Sequence, residues 1–187
     1  MKIDVINVGF LNENCYVLTI NDKVLVIDPG DDFDNIDKFL IGKKVCGVLI
    51  THRHFDHIGV LDMIIDKYNT KYYDKSNLEE SEYNIDGFCF EVIYTPGHKE
   101  DSLTFYFPLY NVMFTGDFIF KNAIGRCDLK GGNITDMRNS LIKMKKYDRD
   151  ILVYPGHGDN TFLGGELDNN MDYIWFWGVV LYEEREL

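Results

Sequence analysis

Short runs of apolar and β-branched residues recur along the chain, separated by polar breaks or by breaks that contain Gly or Pro. Runs of about four to eight such residues are typical of strands. They predict strands at residues 2–8, 15–20, 23–27, 45–50, 70–74, 88–94, 102–107, 111–114 and 151–154. Asn21-Asp22 predicts a hairpin turn between the second and third strands. The polar, acidic stretch 75–87 predicts a surface loop.

Apolar residues spaced three and four apart, which mark one face of a helix, occur in three other segments. The first is short and carries Ile36, Phe39 and Leu40. The second begins near Ile58 and carries apolar residues as far as position 68. The third follows Asn133, a favourable N-cap residue. Its apolar face would consist of Ile134, Met137, Leu141 and Met144.

Strands occur in both halves of the chain and helices are interspersed among them. This order predicts an α/β (α+β) fold in which two sheets pack together with helices outside. No repeat or linker divides the sequence, so residues 1–187 are expected to form one domain. The aromatic tail, residues 168–187, fits either a helix packed on the body or an exposed patch for self-association. The oligomeric state is therefore left open.

Composition narrows the class of partner. The chain has 45% hydrophobic residues, as expected for a globular protein, and a net charge of −12. Binding to a phosphate backbone requires clustered Lys and Arg, so a nucleic-acid partner is not expected. Because no run of about 18 apolar residues is present, no membrane span is expected either.

Cysteine use and the first residues indicate the compartment. Cys15, Cys46, Cys89 and Cys127 form no CxxC pair and are expected to stay reduced, which is typical of a cytoplasmic protein. A charge interrupts the apolar run within residues 1–4, which predicts that no signal peptide is present.

The stretch THRHFDHIG, residues 51–59, concentrates the chemistry of the chain. It places His52, His54, Asp56 and His57 within six positions, between a predicted strand and a predicted helix. Loops at strand ends are where α/β proteins carry functional residues. Neutral imidazole and carboxylate groups both suit zinc or iron, so this cluster predicts a divalent metal site.

The two remaining histidines and one further aspartate also follow predicted strands. His98 lies in TPGH, Asp117 in TGD and His157 in YPGHG. A single histidine is more often a satisfied surface or core group. All five in strand-end loops favour metal binding, either one ion with about three protein ligands or two ions that share a bridging carboxylate and hydroxide.

The motifs THRHFDH, TPGH, TGD and PGHG together resemble the metallo-β-lactamase superfamily. FTGDFIF, IGRCDLKGG and YPGHGDNT resemble its glyoxalase II-like (hydroxyacylglutathione hydrolase-like) branch, over residues 14–169. The resemblance implies a four-layer αββα sandwich with metal ions at one edge of the sheets. The implied ligands are His52, His54 and His98 at site one, Asp56, His57 and His157 at site two, and Asp117 bridging both.

The implied activity is that of a metal-dependent hydrolase acting on a small thioester or ester. Two divalent ions, zinc with iron or manganese as alternatives, would lower the pKa of bound water so that hydroxide attacks the carbonyl. Asp56 and Asp117 are the implied catalytic residues. Glyoxalase II proper has a further helical domain that grips glutathione, and this chain is expected to lack one. Glu100 and Asp101, after TPGH, should disfavour an anionic substrate there.

Two other functions stay open at this point. Persulfide dioxygenases share the ligand pattern but use a single iron, and a non-catalytic metal-binding domain could keep the fold. Asp28 is a candidate to orient a ligand imidazole, or else a turn-forming residue before Pro-Gly. Arg126 is expected to pair with Asp128 rather than with substrate, and Arg53 and Lys99 are expected to be solvated surface charges.

Overall fold

The computed structural model describes residues 1–170 of the chain. Its strands are β1 (Lys2–Val8), β2 (Glu13–Ile20), β3 (Lys23–Ile27), β4 (Lys44–Leu49), β5 (Tyr72–Tyr73), β6 (Glu82–Ile85), β7 (Phe88–Tyr94), β8 (Leu103–Phe107), β9 (Val112–Gly116), β10 (Ile119–Phe120), β11 (Ala123–Ile124), β12 (Leu152–Pro155) and β13 (Thr161–Phe162). Its helices are α1 (Phe33–Leu40), α2 (Phe55–Ile58), α3 (Leu61–Tyr68) and α4 (Ile134–Met144), with a 3-10 turn at Pro108–Tyr110. Residues 163–170 are also helical.

The strands form two large sheets. The first has the order β1-β2-β3-β4-β5, and the second has the order β13-β12-β9-β8-β7-β6. Hairpins make β1, β2 and β3 antiparallel neighbours, whereas β4 pairs parallel to β3 after the α1 crossover. In the second sheet β7, β8 and β9 are antiparallel and β12 pairs parallel to β9 after α4. A short hairpin, β10-β11, stands apart from both sheets.

Three hydrophobic clusters show how the layers stack. On β2, Cys15 and Val17 contact α1 and α3, whereas Tyr16 and Leu18 face the second sheet. This alternation is the period of two that a strand buried on both faces requires. The other face of the second sheet packs on α4 through Met137 and on residues 163–170. The order is thus helix, sheet, sheet, helix, which confirms the predicted αββα sandwich.

The ends of four strands deliver the motif residues to one edge of this sandwich. The chain leaves β4 toward His52, β7 toward His98, β9 toward Asp117 and β12 toward His157. β4 belongs to the first sheet and the other three strands to the second. The functional groups therefore lie where both sheets end together.

Several local predictions differ from the structure. Residues 82–85, predicted as part of a loop, form the edge strand β6, whose alternating exposure fits a polar edge strand. The strand predicted at residues 70–74 is reduced to Tyr72–Tyr73. The helix predicted to begin near Ile58 is two helices. The chain turns at Gly59–Val60, where the Val60 amide donates to the Pro29 carbonyl at 3.2 Å.

Other local predictions hold. Asn133 caps α4, since its side-chain oxygen accepts hydrogen bonds from the amides of Thr135 and Asp136. Asn21-Asp22 connects β2 to β3. Residues 168–170 continue the helix that begins at 163, and the rest of the aromatic tail lies outside the described residues, so the single domain over 1–187 stays a prediction. No helix within residues 1–170 is long and apolar enough to cross a bilayer.

Candidate metal centre

The structure brings together all seven side chains that the motifs singled out. They form two adjacent groups of potential ligand atoms, His52, His54, His98 and Asp117 in one and Asp56, His57 and His157 in the other. His52, His57 and His98 are buried, and the other four are partly exposed. His52 and His54 are on extended chain, whereas Asp56 and His57 lie on α2 and not in a loop as expected.

The ligand atoms of the first group are spaced like the corners of a tetrahedron around one metal ion. His54 Nδ1 lies 3.0 Å from His52 Nε2 and 2.9 Å from His98 Nε2, and His98 Nε2 lies 3.5 Å from Asp117 Oδ2. Ligand atoms about 2.0–2.2 Å from a zinc ion are separated by roughly 3.3 Å along a tetrahedron's edges. The spacing in this group therefore fits one zinc-sized ion.

The second group uses the other oxygen of Asp117. Asp117 Oδ1 lies 3.3 Å from His57 Nε2 and 3.6 Å from His157 Nε2. Asp56 Oδ2 lies 3.3 Å from His157 Nε2 and 3.9 Å from His57 Nε2. Asp117 thus turns one carboxylate oxygen to each group, as a bridging ligand would.

Hydrogen-bond partners fix the proton positions on two of the three imidazoles of the first group. His98 Nδ1 donates to the Arg126 carbonyl at 2.8 Å. Thr51 Oγ1 donates to Asp28 Oδ2 at 2.5 Å, so it accepts from His52 Nδ1 at 3.2 Å. In these neutral tautomers the Nε2 lone pairs of His52 and His98 both point at the space beside His54 Nδ1.

Hydrogen bonds at Nδ1 also orient the imidazole rings of the second group. His57 Nδ1 donates to Asp28 Oδ2 at 3.0 Å, and His157 Nδ1 donates to the Leu11 carbonyl at 3.2 Å. The Nε2 atoms of both rings then face the carboxylates of the centre. His57 Nε2 and Asp117 Oδ1 are buried and have no hydrogen-bond partner among the described residues. Buried polar atoms left without partners are explained by a cation between them.

The pKa values of the histidines are shifted in opposite directions in the two groups. Burial lowers the pKa of His52 well below its usual range and also lowers that of His54. Burial acts in the same direction on His57, but Asp117 and Asp28 outweigh it and raise the pKa of His57 well above its usual range. The pKa of His157 is also raised, because burial lowers it but the hydrogen bond to Asp56 outweighs burial.

The two aspartates of the centre remain carboxylates at neutral pH. Burial opposes ionisation of Asp117, but His57 outweighs it and lowers the pKa of that carboxyl. Burial likewise opposes ionisation of Asp56, and His157 overcomes it. Three carboxylate oxygens from two aspartates and five imidazoles, all turned inward, make a donor set that fits divalent metal ions.

Asp28 and Gly156 lie next to the ligands and keep them in place, Asp28 by hydrogen bonds and Gly156 by leaving space. Asp28, in left-handed conformation at φ 49°, accepts from the Thr51 amide at 2.7 Å as well as from Thr51 Oγ1 and His57. It therefore both makes the turn and orients the imidazole, the two alternatives left open for it. A Cβ at Gly156 would collide with Asp117 Oδ1 and lie 2.7 Å from His57 Cε1, so only glycine leaves room for these ligands.

The charged neighbours differ in part from expectation. Arg126 pairs with Asp128 at 2.7 Å, as predicted. Arg53 is not simply solvated, since it binds the buried Asp74 at 2.8 Å. Lys99 is also largely covered and lies 3.1 Å from Asp101. Arg53 remains exposed, as predicted, and meets Asp74 only because the fold brings a distant loop to it. Lys99 is covered, so its prediction as a solvated charge was wrong, although its partner Asp101 lies only two residues away.

One buried acid near the centre was not anticipated. Glu13 is 1% exposed, and its Oε1 lies 3.7 Å from His57 Nδ1. Burial raises its pKa well above the usual range. Its only sequence signal is an acid next to Asn14-Cys15 at the start of a buried strand, where an acid is unusual.

Fold and centre together define a class, a metal-binding αββα domain with its centre at the sheet edge. The model of the metallo-β-lactamase superfamily matches residues 8–73 and 72–157. The chain therefore belongs to the metallo-β-lactamase superfamily, which confirms the resemblance found in the motifs.

Two relatives and one solved structure show the range of the likeness. The chain is 30% identical to the probable metallo-hydrolase YqgX of Bacillus subtilis, over 87% of this chain and 93% of the relative. It is 26% identical to the hydroxyacylglutathione hydrolase GloC of Haemophilus influenzae, over 91% of this chain and 97% of the relative. The solved structure of TTHA1623 in a di-iron-bound form matches with a TM-score of 0.81 at 26% identity, covering 89% of this chain and 98% of that one.

Proposed function

We propose that the protein is a dinuclear metal-dependent hydrolase that cleaves a small thioester or ester. The observation that carries this proposal is the direction of the imidazoles. Second hydrogen-bond partners fix four of the five rings so that their Nε2 atoms point inward, toward carboxylate oxygens or toward His54. Such a set costs free energy unless cations occupy it.

The proposed ligands follow the two groups. His52, His54 and His98 would hold the first ion and Asp56, His57 and His157 the second, with Asp117 shared. Zinc is the proposed metal, with iron or manganese as alternatives, because imidazole and carboxylate suit all three. When bound, such ions supply a water of lowered pKa and polarise a carbonyl oxygen.

The protein's own groups then act on water and substrate. The side chain of Asp56 is 14% exposed and already accepts from His157, so it can orient an attacking water and take its proton. Asp117 holds its two oxygens toward the two groups. No serine or cysteine nucleophile is required, and the four cysteines are unpaired thiols, which supports the proposed cytoplasmic location.

The surroundings of the centre favour a small neutral substrate. Four basic side chains of the ligand-bearing loops are engaged by acids, in the pairs Arg53–Asp74, Lys99–Asp101, Lys121–Asp159 and Arg126–Asp128. Paired bases have little charge left to attract an anion. Glutathione carries two carboxylates, so we infer that glutathione thioesters are poorer substrates than neutral thioesters.

An apolar lip beside Asp56 supports the same substrate class. Phe10 is 80% exposed and Phe55 is 64% exposed, and their rings stack at 6.3 Å. With Leu11 they line a small cavity whose wall includes Asp56. Exposed aromatic rings at the edge of a polar centre are suited to bind an apolar acyl or leaving group.

The test is hydrolysis of a thioester and lactone panel that includes S-lactoylglutathione, with protein of measured metal content. Neutral, apolar thioesters should be cleaved fastest, and His54→Ala should abolish cleavage. Activity that survives this substitution would refute the role of the centre. Oxygen uptake with a persulfide, together with a single bound iron, would instead support the dioxygenase alternative.

A further inference from the structure

Glu13 lies behind the second ligand group, on the side of His57 that faces away from the centre. It is the first residue of β2 and is 1% exposed. Its Oε1 lies 3.7 Å from His57 Nδ1, which is too far for a hydrogen bond but close enough for an ion pair. The same nitrogen already donates to Asp28 at 3.0 Å. One carboxylate is therefore enough to fix the tautomer of His57, and a second must have another purpose.

The position of Glu13 is fixed by backbone on two sides. Its residue pairs with Val8 on β1 and forms an isolated bridge with His157, a ligand of the second group. Gly30 makes room for its side chain, because a Cβ at Gly30 would lie 2.9 Å from Glu13 Oε2. Glu13 is thus paired through its backbone with one ligand of the second group, His157, while its carboxylate lies near another, His57.

Within the described part of the chain, nothing satisfies this carboxyl group. Neither oxygen has a hydrogen-bond partner among residues 1–170, and within that range no Lys or Arg forms an ion pair with it. A buried carboxylate without a partner is costly, and a buried neutral acid with an unpaired hydroxyl is also costly. The compensating positive charge would therefore lie at His57, either on its protonated ring in the metal-free protein or on a cation at its Nε2.

We propose that Glu13 is a positioning residue that supplies negative charge to the second metal site through His57. The charges support this assignment. Asp28, Glu13, Asp56 and Asp117 are four carboxylates in and behind the centre, with four negative charges when ionised, and two divalent cations carry four positive charges. This inference rests on the proposed dinuclear site, but it does not depend on the substrate.

The experiment is a titration of metal-depleted protein with Zn²⁺ by calorimetry, repeated with Co²⁺ by visible absorption. Wild-type protein should bind two ions. Glu13→Gln should bind the second ion roughly 10- to 100-fold more weakly and the first ion normally, as is usual when a partner of a ligand histidine is lost. Glu13→Asp, which keeps the charge, should recover part of the lost affinity.

Two further variants separate this role from a structural one. Glu166→Gln is the matched control, since Glu166 is 3% exposed but hydrogen-bonded to Asn122 and Thr161, away from the ligands. It should leave both affinities unchanged. Glu13→Met removes the unsatisfied carboxyl, so its metal-free form should melt at a higher temperature than wild type and yet bind the second ion weakly. A residue needed only for folding would lower that melting temperature.

Some results would overturn the inference. These are wild-type affinity for both ions in Glu13→Gln and Glu13→Met, equal weakening of both sites, or a wild-type protein that takes up only one ion. Failure of the proposed function is distinguishable. A protein that binds two ions with the expected Glu13 dependence but cleaves no ester or thioester would refute the hydrolase and leave the role of Glu13 standing.

Discussion

The two ligand groups share Asp117 but are built on opposite electrostatic principles. In the first group, burial lowers the pKa of His52 and His54, so these imidazoles are neutral before any cation arrives. In the second group, carboxylates outweigh burial and raise the pKa of His57 and His157. A metal competes only with weakly held protons in the first group and with strongly held ones in the second.

Two adjacent metal sites with similar ligands therefore need not bind their ions under the same conditions. The first group is ready to bind and has three imidazoles in contact with each other. The second group is stabilised as ion pairs in the metal-free protein, and it exchanges protons for metal. We therefore expect the second site to be the one that responds to pH and to the carboxylates behind it.

The largest effect is expected from removing a ligand of the first group. His54→Ala should lower kcat/KM for thioester hydrolysis by at least roughly 1,000-fold, about 4 kcal/mol of activation free energy, because a metal-supplied nucleophile is lost. His157→Ala tests the second group in the same assay, with metal content measured in parallel. Wild-type activity in either variant would show that the ligand group concerned is not needed for hydrolysis.

The next effect concerns pH. Protons compete at the second group already below the raised pKa of His57, so bound metal should fall from two ions toward one while the pH is still above about 6.5, the usual pKa of histidine. The first ion should stay bound to lower pH than the second, because burial lowers the pKa of His52 and His54 below the usual value for histidine. Metal content after dialysis at stepped pH measures this order. Loss of both ions in one step would contradict it.

The metal-free protein should show the opposite pH dependence. A histidine with a raised folded-state pKa stabilises the fold fully below its unfolded pKa, and this stabilisation is lost as the pH rises through the folded-state pKa. The melting temperature of metal-free protein should therefore fall as the pH rises above about 6.5, the usual pKa of histidine. No change over this range would mean that His57 is not held by its carboxylates.

A smaller effect is expected at the residue that orients His57. Asp28→Asn keeps the acceptor for Thr51 but removes the charge, so the second ion should bind roughly 10- to 100-fold more weakly, with the first ion little affected. Asp37→Asn is the matched control, because Asp37 is also buried but bonds Lys67 and Tyr68. Calorimetric titration with Zn²⁺ measures both affinities in each variant. Equal weakening of both sites in Asp28→Asn would contradict the proposed difference between the two ligand groups.

The smallest effect is expected at the apolar lip beside the second group. Phe10→Ala should lower kcat/KM for an apolar thioester about 3- to 10-fold, roughly 1 kcal/mol of lost apolar contact, without changing metal content. Leu109→Ala removes a side chain that is 74% exposed but does not line this cavity, and it should have no effect. A loss that is the same for small polar esters would argue against an apolar subsite.

Much of the fold was readable because it depends on local patterns. The apolar runs at residues 15–20 and 23–27 predicted β2 and β3, and Asn133 predicted the start of α4. The edge strand β6 was missed, since a strand that is half exposed carries polar residues like those of a loop. The break at Gly59 was also missed, because it depends on contact with the chain near Pro29.

The sequence by itself determined which residues could bind metal, because imidazole and carboxylate side chains are few and their motifs are specific. Only the tertiary structure decided how they divide, since Asp117 gives one oxygen to each group and the pKa values follow from neighbours far away along the chain. Glu13 is the clearest case. Its distance from His57 in sequence hides a contact that exists only because β2, the Asp28 turn and α2 meet at one edge, where burial makes every charge count.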